Sequence, residues 1–179
     1  MTNRTLPLLV LIALAGLAGL APGQASAGDH FVGGGLEFWR TVDGLPGTGD
    51  FDDIEDDGSS WVLSYQYRPR GLFRFELDLE YFDDGFAGST DTAIAPQAFI
   101  LVGRGLYGGV GAGFTFSDGL EDDVSDPFFM GRLGFEFSLL GPLKIDLHAT
   151  YRFDDWDGLE DIDVDTDTYT LGAYVRFKI

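Results

Sequence analysis

The sequence predicts an all-β protein: one antiparallel up-and-down barrel of eight transmembrane strands, preceded by a cleaved signal peptide. Three observations carry that prediction. Eight stretches alternate with a period of two, tight turns alternate with long acidic loops, and aromatic side chains gather where strands meet those loops. A period of two is a strand signal, because successive side chains leave opposite faces of a pleated backbone. About ten such residues, tilted, cross the hydrocarbon core of a bilayer.

The first residues read as a processing signal. Arg4 supplies a positive start, Leu6–Leu20 an apolar stretch, and Pro22 and Gly23 break it ahead of Ala25-Ser26-Ala27. That small-residue site places cleavage before Gly28. The run is short for a membrane helix, and no cysteine follows the site for lipid anchoring. Residues 1–27 are therefore expected to be removed and 28–179 to form one barrel domain. The chain has no cysteine, so neither disulfides nor thiolate chemistry enter. Its net charge of −19 argues against nucleic acid, whose phosphates are bound by clustered Lys and Arg.

The strands are expected near Phe31–Arg40, Trp61–Arg68, Leu72–Phe82, Ile94–Val102, Leu106–Ser117, Phe128–Ser138, Leu143–Phe153 and Thr168–Ile179. In the third, Phe73, Phe75, Leu77, Leu79 and Tyr81 oppose Arg74, Glu76, Asp78 and Glu80. In the last, Tyr169, Leu171, Ala173, Val175, Phe177 and Ile179 oppose Thr170, Gly172, Tyr174, Arg176 and Lys178. Pro96 fits badly, since it removes a ladder hydrogen bond in a barrel without edges. A bulge there, or a strand that becomes regular only after it, is expected.

Pro69-Arg70-Gly71, Gly103-Arg104-Gly105 and Gly141-Pro142 have the composition of tight turns. Between them lie four longer loops, near Thr41–Ser60, Asp83–Asp91, Asp118–Asp126 and Asp154–Asp167. They hold 23 of the 30 acidic residues and no Lys or Arg. With an even strand number, both termini and all the tight turns share one end, and the acidic loops project from the other. Short periplasmic turns and long external loops are the layout of an outer-membrane barrel.

Alternation alone does not say which face meets solvent, and a soluble lipocalin-like barrel would turn the apolar face inward. Three features oppose it. An eight-stranded interior is only just filled by side chains, and five mostly large apolar residues per strand would overfill it. The polar face instead carries Gly33, Gly35, Gly109, Gly111, Gly113, Gly134 and Gly172, which suit a cramped interior. Phe38, Trp61, Tyr81, Phe116, Phe129, Phe153 and Tyr169 occupy the loop end of seven strands, as an interfacial girdle would. Finally, inward Glu37, Glu76, Asp78, Glu80, Glu136 and Asp146 balance Arg68, Arg74, Arg132, Lys144, Arg152, Arg176 and Lys178, as buried charges require.

On these residues the chain resembles the small eight-stranded bacterial outer-membrane barrels, such as OmpX, Ail and the OmpA membrane domain. The resemblance implies residence in the outer membrane of a Gram-negative bacterium, contact with its lipid and lipopolysaccharide, and a monomer. Thr170-x-Gly172-x-x-Val175-x-Phe177 resembles the C-terminal signal read by the barrel-assembly machinery, although two residues, Lys178 and Ile179, follow it.

Little in the sequence performs chemistry. His30 follows the cleavage site, in a stretch expected to be mobile, and His148 faces the lumen beside Asp146, Arg152 and Lys144. A serine hydrolase acting on membrane lipid would need Ser64 or Ser138 beside His148, and nothing in the sequence places either there. A wide pore is not expected, though the glycines of the first and fifth strands leave room for a narrow groove. No catalytic residue or resident cofactor is therefore assigned. The acidic loops are the functional lead. Asp161, Asp163, Asp165 and Asp167 alternate along one side, and Asp50, Asp52, Asp53, Glu55, Asp56 and Asp57 approach them across the barrel closure. Such carboxylates repel unless cations bridge them, and calcium takes oxygen ligands in flexible geometry. The EF-hand pattern fails, with Thr166 and Gly172 at its glycine and glutamate positions. A simply solvated anionic surface is the alternative. Phe51, Ile54, Leu120, Trp156 and Leu159 add apolar loop tips suited to a partner protein. The expected role is a structural or surface-interaction scaffold, with a narrow pore or a lipid-modifying enzyme as alternatives.

Overall fold

The computed structural model describes residues 28–41, 57–83, 92–117, 127–153 and 168–179. Strands β1 (Asp29–Thr41), β2 (Asp57–Arg68), β3 (Phe73–Phe82), β4 (Ala93–Gly103), β5 (Leu106–Gly113), β6 (Phe116–Ser117), β7 (Phe128–Leu140), β8 (Leu143–Phe153) and β9 (Thr168–Lys178) form one antiparallel sheet. Each strand pairs with its chain neighbours. The sheet closes by pairing β1 with β9, from Phe31↔Lys178 to Thr41↔Thr168. β5 and β6 lie against β4 in one continuous register and act as a single interrupted strand, so the wall has eight. Closure leaves no sheet edge, which is what allows strands to cross hydrocarbon.

The three expected tight turns are present, and each turns on a glycine with positive φ: Gly71 (124°), Gly103 (138°) and Gly141 (52°). A side chain at such a φ would be strained, whereas glycine is not. Backbone bonds knit this end together. Glu136 N donates to Gly105 O (2.8 Å), and Ile179 N to His30 O (2.9 Å).

The faces are those the alternation predicts. Leu133, Leu171 and Trp61 are 70%, 64% and 63% exposed on the outside, while Arg132, Glu76 and Arg176 are enclosed. That distribution excludes the soluble barrel with an apolar interior, because an outer surface of this kind is solvated only by lipid. Of the loop-end girdle, Phe38, Trp61, Tyr81 and Tyr169 are exposed, and Phe153 packs against Phe129 and Tyr151. Leu133→Arg, near the middle of β7, is expected to cost about 2–4 kcal/mol, and Leu106→Arg beside a turn about 0–1 kcal/mol. Urea unfolding in lipid vesicles measures both.

Three expectations need correction. Pro96 causes no bulge in β4, which runs through it in unbroken register with β3. The break falls across the seam instead. Phe114 N donates to Pro96 O (3.2 Å), but proline has no N–H to return the bond, and the neighbouring strand is interrupted at Phe114 and Thr115. His30 is not mobile, since it lies in β1 opposite Tyr67. Its Nδ1 is 2.7 Å from the Tyr65 hydroxyl, and its ring is 4.9 Å from that of Tyr67, so it packs among aromatic side chains at the turn end. Lys178 is not a lumenal charge. Its side chain is half exposed and pairs with Asp29 at the turn-end rim (2.6 Å). In addition, β2 begins at Asp57, which takes that residue out of the first acidic loop and places it opposite Arg40.

Candidate functional site

The lumen is filled by side chains from every strand. At its centre Arg132 of β7 reaches three carboxylates: Glu76 (2.7 Å) and Asp78 (2.9 Å) of β3, and Glu37 of β1 (3.4 Å). Its Nε donates to Thr150 Oγ1 (2.9 Å), and its guanidinium lies 3.8 Å over the Phe99 ring. Arg176 of β9 reaches Glu76 (2.8 Å) and Asp146 (3.3 Å). Five donors in a planar fork let one arginine serve several carboxylates, which lysine could not do in this space. The hydroxyl of Tyr107 donates to Asp146 (2.7 Å), and that of Tyr174 to Glu37.

His148 sits inside this network, facing the lumen as the sequence predicts. Its Nδ1 is 2.9 Å from Asp146 and its Nε2 3.0 Å from Glu37, with the Tyr174 ring packed edge-on. Both ring nitrogens are thus held by carboxylates, and neither Ser64 nor Ser138 is among their partners. The base of a hydrolase needs one nitrogen free for its nucleophile.

Towards the loop end, Glu80 accepts from Ser60 (2.5 Å), Gln97 (2.5 Å) and Arg152 (2.9 Å). Above the network Trp39, Phe82, Phe128, Met130, Ala93 and Ala95 form an apolar plug, continuous with Phe99 beside Arg132. Arg152 stacks 4.1 Å over Phe128. The sequence reading missed these lumenal aromatics by weighing only the polar residues of the inward face. The signal was available, since Phe31 and Trp39 share the parity of Gly33, Gly35 and Glu37.

The lumenal glycines do not open a groove. A methyl group on Gly111 would strike the Phe99 ring, on Gly113 that of Phe128, on Gly134 that of Tyr107, and on Gly172 that of His148. Each glycine makes room for a large partner on the facing strand. Among the described residues the centre is therefore packed, and a cavity opens at the turn end. It has a volume of about 340 Å³ and is lined by Arg68, Gly71, Phe73, Arg74, Gly103, Arg104, Gly105, Glu136, Ser138 and Lys144.

The loop carboxylates Asp161, Asp163, Asp165 and Asp167, and the first-loop group Asp50 to Asp56, lie outside the described residues. Among the described residues no group of three or more His, Asp or Glu side chains is arranged to hold a metal ion.

No family model matches the sequence, and no curated protein matches it. Solved structures do. The Neisserial surface protein NspA superposes with a TM-score of 0.52 at 15% identity, over 84% of this chain and 97% of that one. The chain has the fold of the small outer-membrane barrels. OprG of Pseudomonas aeruginosa (TM-score 0.49, 16% identity, 85% and 97% covered) also matches. So does Ail of Yersinia pestis in complex with a heparin analogue (0.43, 18%, 84% and 99%). Fold and apolar belt together make this a membrane-spanning barrel of the outer-membrane type, as the sequence implied.

Proposed function

We propose that this outer-membrane barrel is a structural or surface-interaction scaffold without catalysis, whose specific contacts are made by its four acidic loops. The observation that carries this reading is the closure of the lumen. Arg132 and Arg176 tie four buried carboxylates across its centre, and aromatic rings fill the space above them. A plugged lumen leaves neither a conduit for solute nor a histidine nitrogen free for a substrate. Selective contact then falls to the loops, which hold most of the acidic residues.

Reconstituted in a planar bilayer, the barrel is expected to show no discrete conductance steps at neutral pH. Steps in the wild type would replace the scaffold with a narrow pore. His148→Asn is expected to leave the lipid profile of a producing cell unchanged, and a lost lipid modification in a folded variant would favour the enzyme.

The loop contacts proposed are with divalent cations bridging Asp161, Asp163, Asp165 and Asp167 to lipopolysaccharide phosphates, or with a surface protein. Calorimetric titration of calcium into the detergent-refolded barrel at physiological salt tests the cation. Saturable binding, lost when these four residues become Asn, supports it. Weak binding that vanishes with added salt indicates a diffuse anionic surface instead.

A further inference from the structure

The turn end of the barrel carries the opposite charge from the loop end. Arg68, Arg70, Arg74, Arg104, Lys144 and Lys178 gather there, outnumbering Glu136, Asp29 and the terminal carboxylate of Ile179. Asp29 is taken by Lys178 at the rim. Inside the mouth Glu136 is saturated. Arg68 donates to both of its oxygens, at 2.8 Å to Oε1 and also to Oε2, and Lys144 donates to Oε1 at 2.9 Å.

Two arginines on the same cavity are met less closely. Arg74 of β3 is 1% exposed. Its Nε donates to Gly103 O (3.0 Å), and its plane lies 4.6 Å over the Tyr107 ring. Neither of its terminal nitrogens makes a hydrogen bond, and the nearest Glu136 oxygen is 3.6 Å from Nη1. A buried guanidinium with two idle nitrogens is costly unless an acceptor meets it. Arg104, exposed at the tip of the β4–β5 turn, lines the same cavity and makes no ion pair among the described residues.

We propose that this mouth is an anion site that takes a phosphate group, held between Arg74 within and Arg104 at the rim, with Arg68 and Lys144 beside it. Arg104 has no ion pair among the described residues, and Arg74 only a long one to the shared Glu136. The two guanidinium groups therefore offer paired donors to the oxygens of a phosphate, whose charge is nearly double negative. A cavity of about 340 Å³, open to one side, admits such a group at the end of a larger molecule. Turns of this kind face the periplasm, so the phosphate comes either free from solution or on the headgroup of an inner-leaflet phospholipid.

The test uses the full mature barrel refolded in a non-ionic detergent. Inorganic phosphate is titrated by calorimetry, and retention of phosphatidylglycerol is read by native mass spectrometry. Arg74→Gln and Arg104→Gln are each expected to weaken binding about tenfold, the loss that follows from removing one charge-assisted hydrogen bond. Arg70→Gln, on the neighbouring turn but outside the cavity lining, is expected to leave binding unchanged. Arg104 is exposed, so its variant folds even if loss of the buried Arg74 disturbs assembly. Saturable phosphate binding at one per barrel identifies a free anion. Retention of phosphatidylglycerol alone, lost in both lining variants, identifies the headgroup. If neither probe binds saturably, or if Arg70→Gln weakens binding as much as Arg104→Gln, the site does not exist.

Discussion

Replacing Arg132 with methionine is expected to destabilise the barrel by about 3–5 kcal/mol, the usual cost of removing one partner from a buried ion pair. The expectation follows from what the guanidinium touches. Glu76, Asp78 and Glu37 converge on it from two strands, and water does not reach them to take over. Three carboxylates left facing one another in a lumen of low polarisability repel, and Arg176 remains to neutralise only Glu76 among them. The aliphatic stem of methionine keeps much of the packing against Phe99, so the loss reports charge rather than volume. Urea unfolding in lipid vesicles, with heat-shifted migration in gels as a check of folding, measures it. A loss under about 1 kcal/mol would mean that the carboxylates protonate or that the lumen admits water, and would undermine the closed lumen on which the scaffold reading rests.

Gly134→Val is expected to destabilise by about 1–3 kcal/mol, as overpacking of a filled interior does. Gly131→Val, on the same strand, is expected to stay within about 0.5 kcal/mol of wild type. The contrast isolates position from chemistry. Gly134 faces inward, and any side chain there strikes the Tyr107 ring, whose hydroxyl is held by Asp146. Gly131 faces lipid with nothing near it, and valine suits a strand. Equal losses at the two positions would show that strand propensity, not lumenal fit, governs the glycines. The same unfolding assay reads both.

The acidic loops are a different matter, since their expected effects are on binding rather than on folding. The two ends of the barrel thus make separable predictions. Calcium titration interrogates Asp161, Asp163, Asp165 and Asp167, while phosphate titration interrogates Arg74 and Arg104 at the opposite mouth.

Much of this architecture is written in local pattern. The period of two set the strands and both their faces, because one step along a strand reverses the side-chain direction. Gly71, Gly103 and Gly141 announced the tight turns, because only glycine takes positive φ without strain. Phe38, Trp61, Tyr81 and Tyr169 announced the loop-end girdle, and the parity of Glu76, Arg132 and Arg176 announced a charged lumen. What local pattern does not contain is the stagger of one strand against the next. That stagger decided that Arg132 meets Glu76, Asp78 and Glu37 while Arg74 is left with idle nitrogens. It also set Pro96 opposite Phe114, moving the break from one strand to its neighbour, and set His30 beside Tyr65 and Tyr67. Closure brought β1 against β9 and filled the space above the glycines with the rings of Phe99, Tyr107 and Phe128. Faces are a property of one strand and are legible in its sequence. Partners depend on the register of all eight at once, and only the closed barrel decided them.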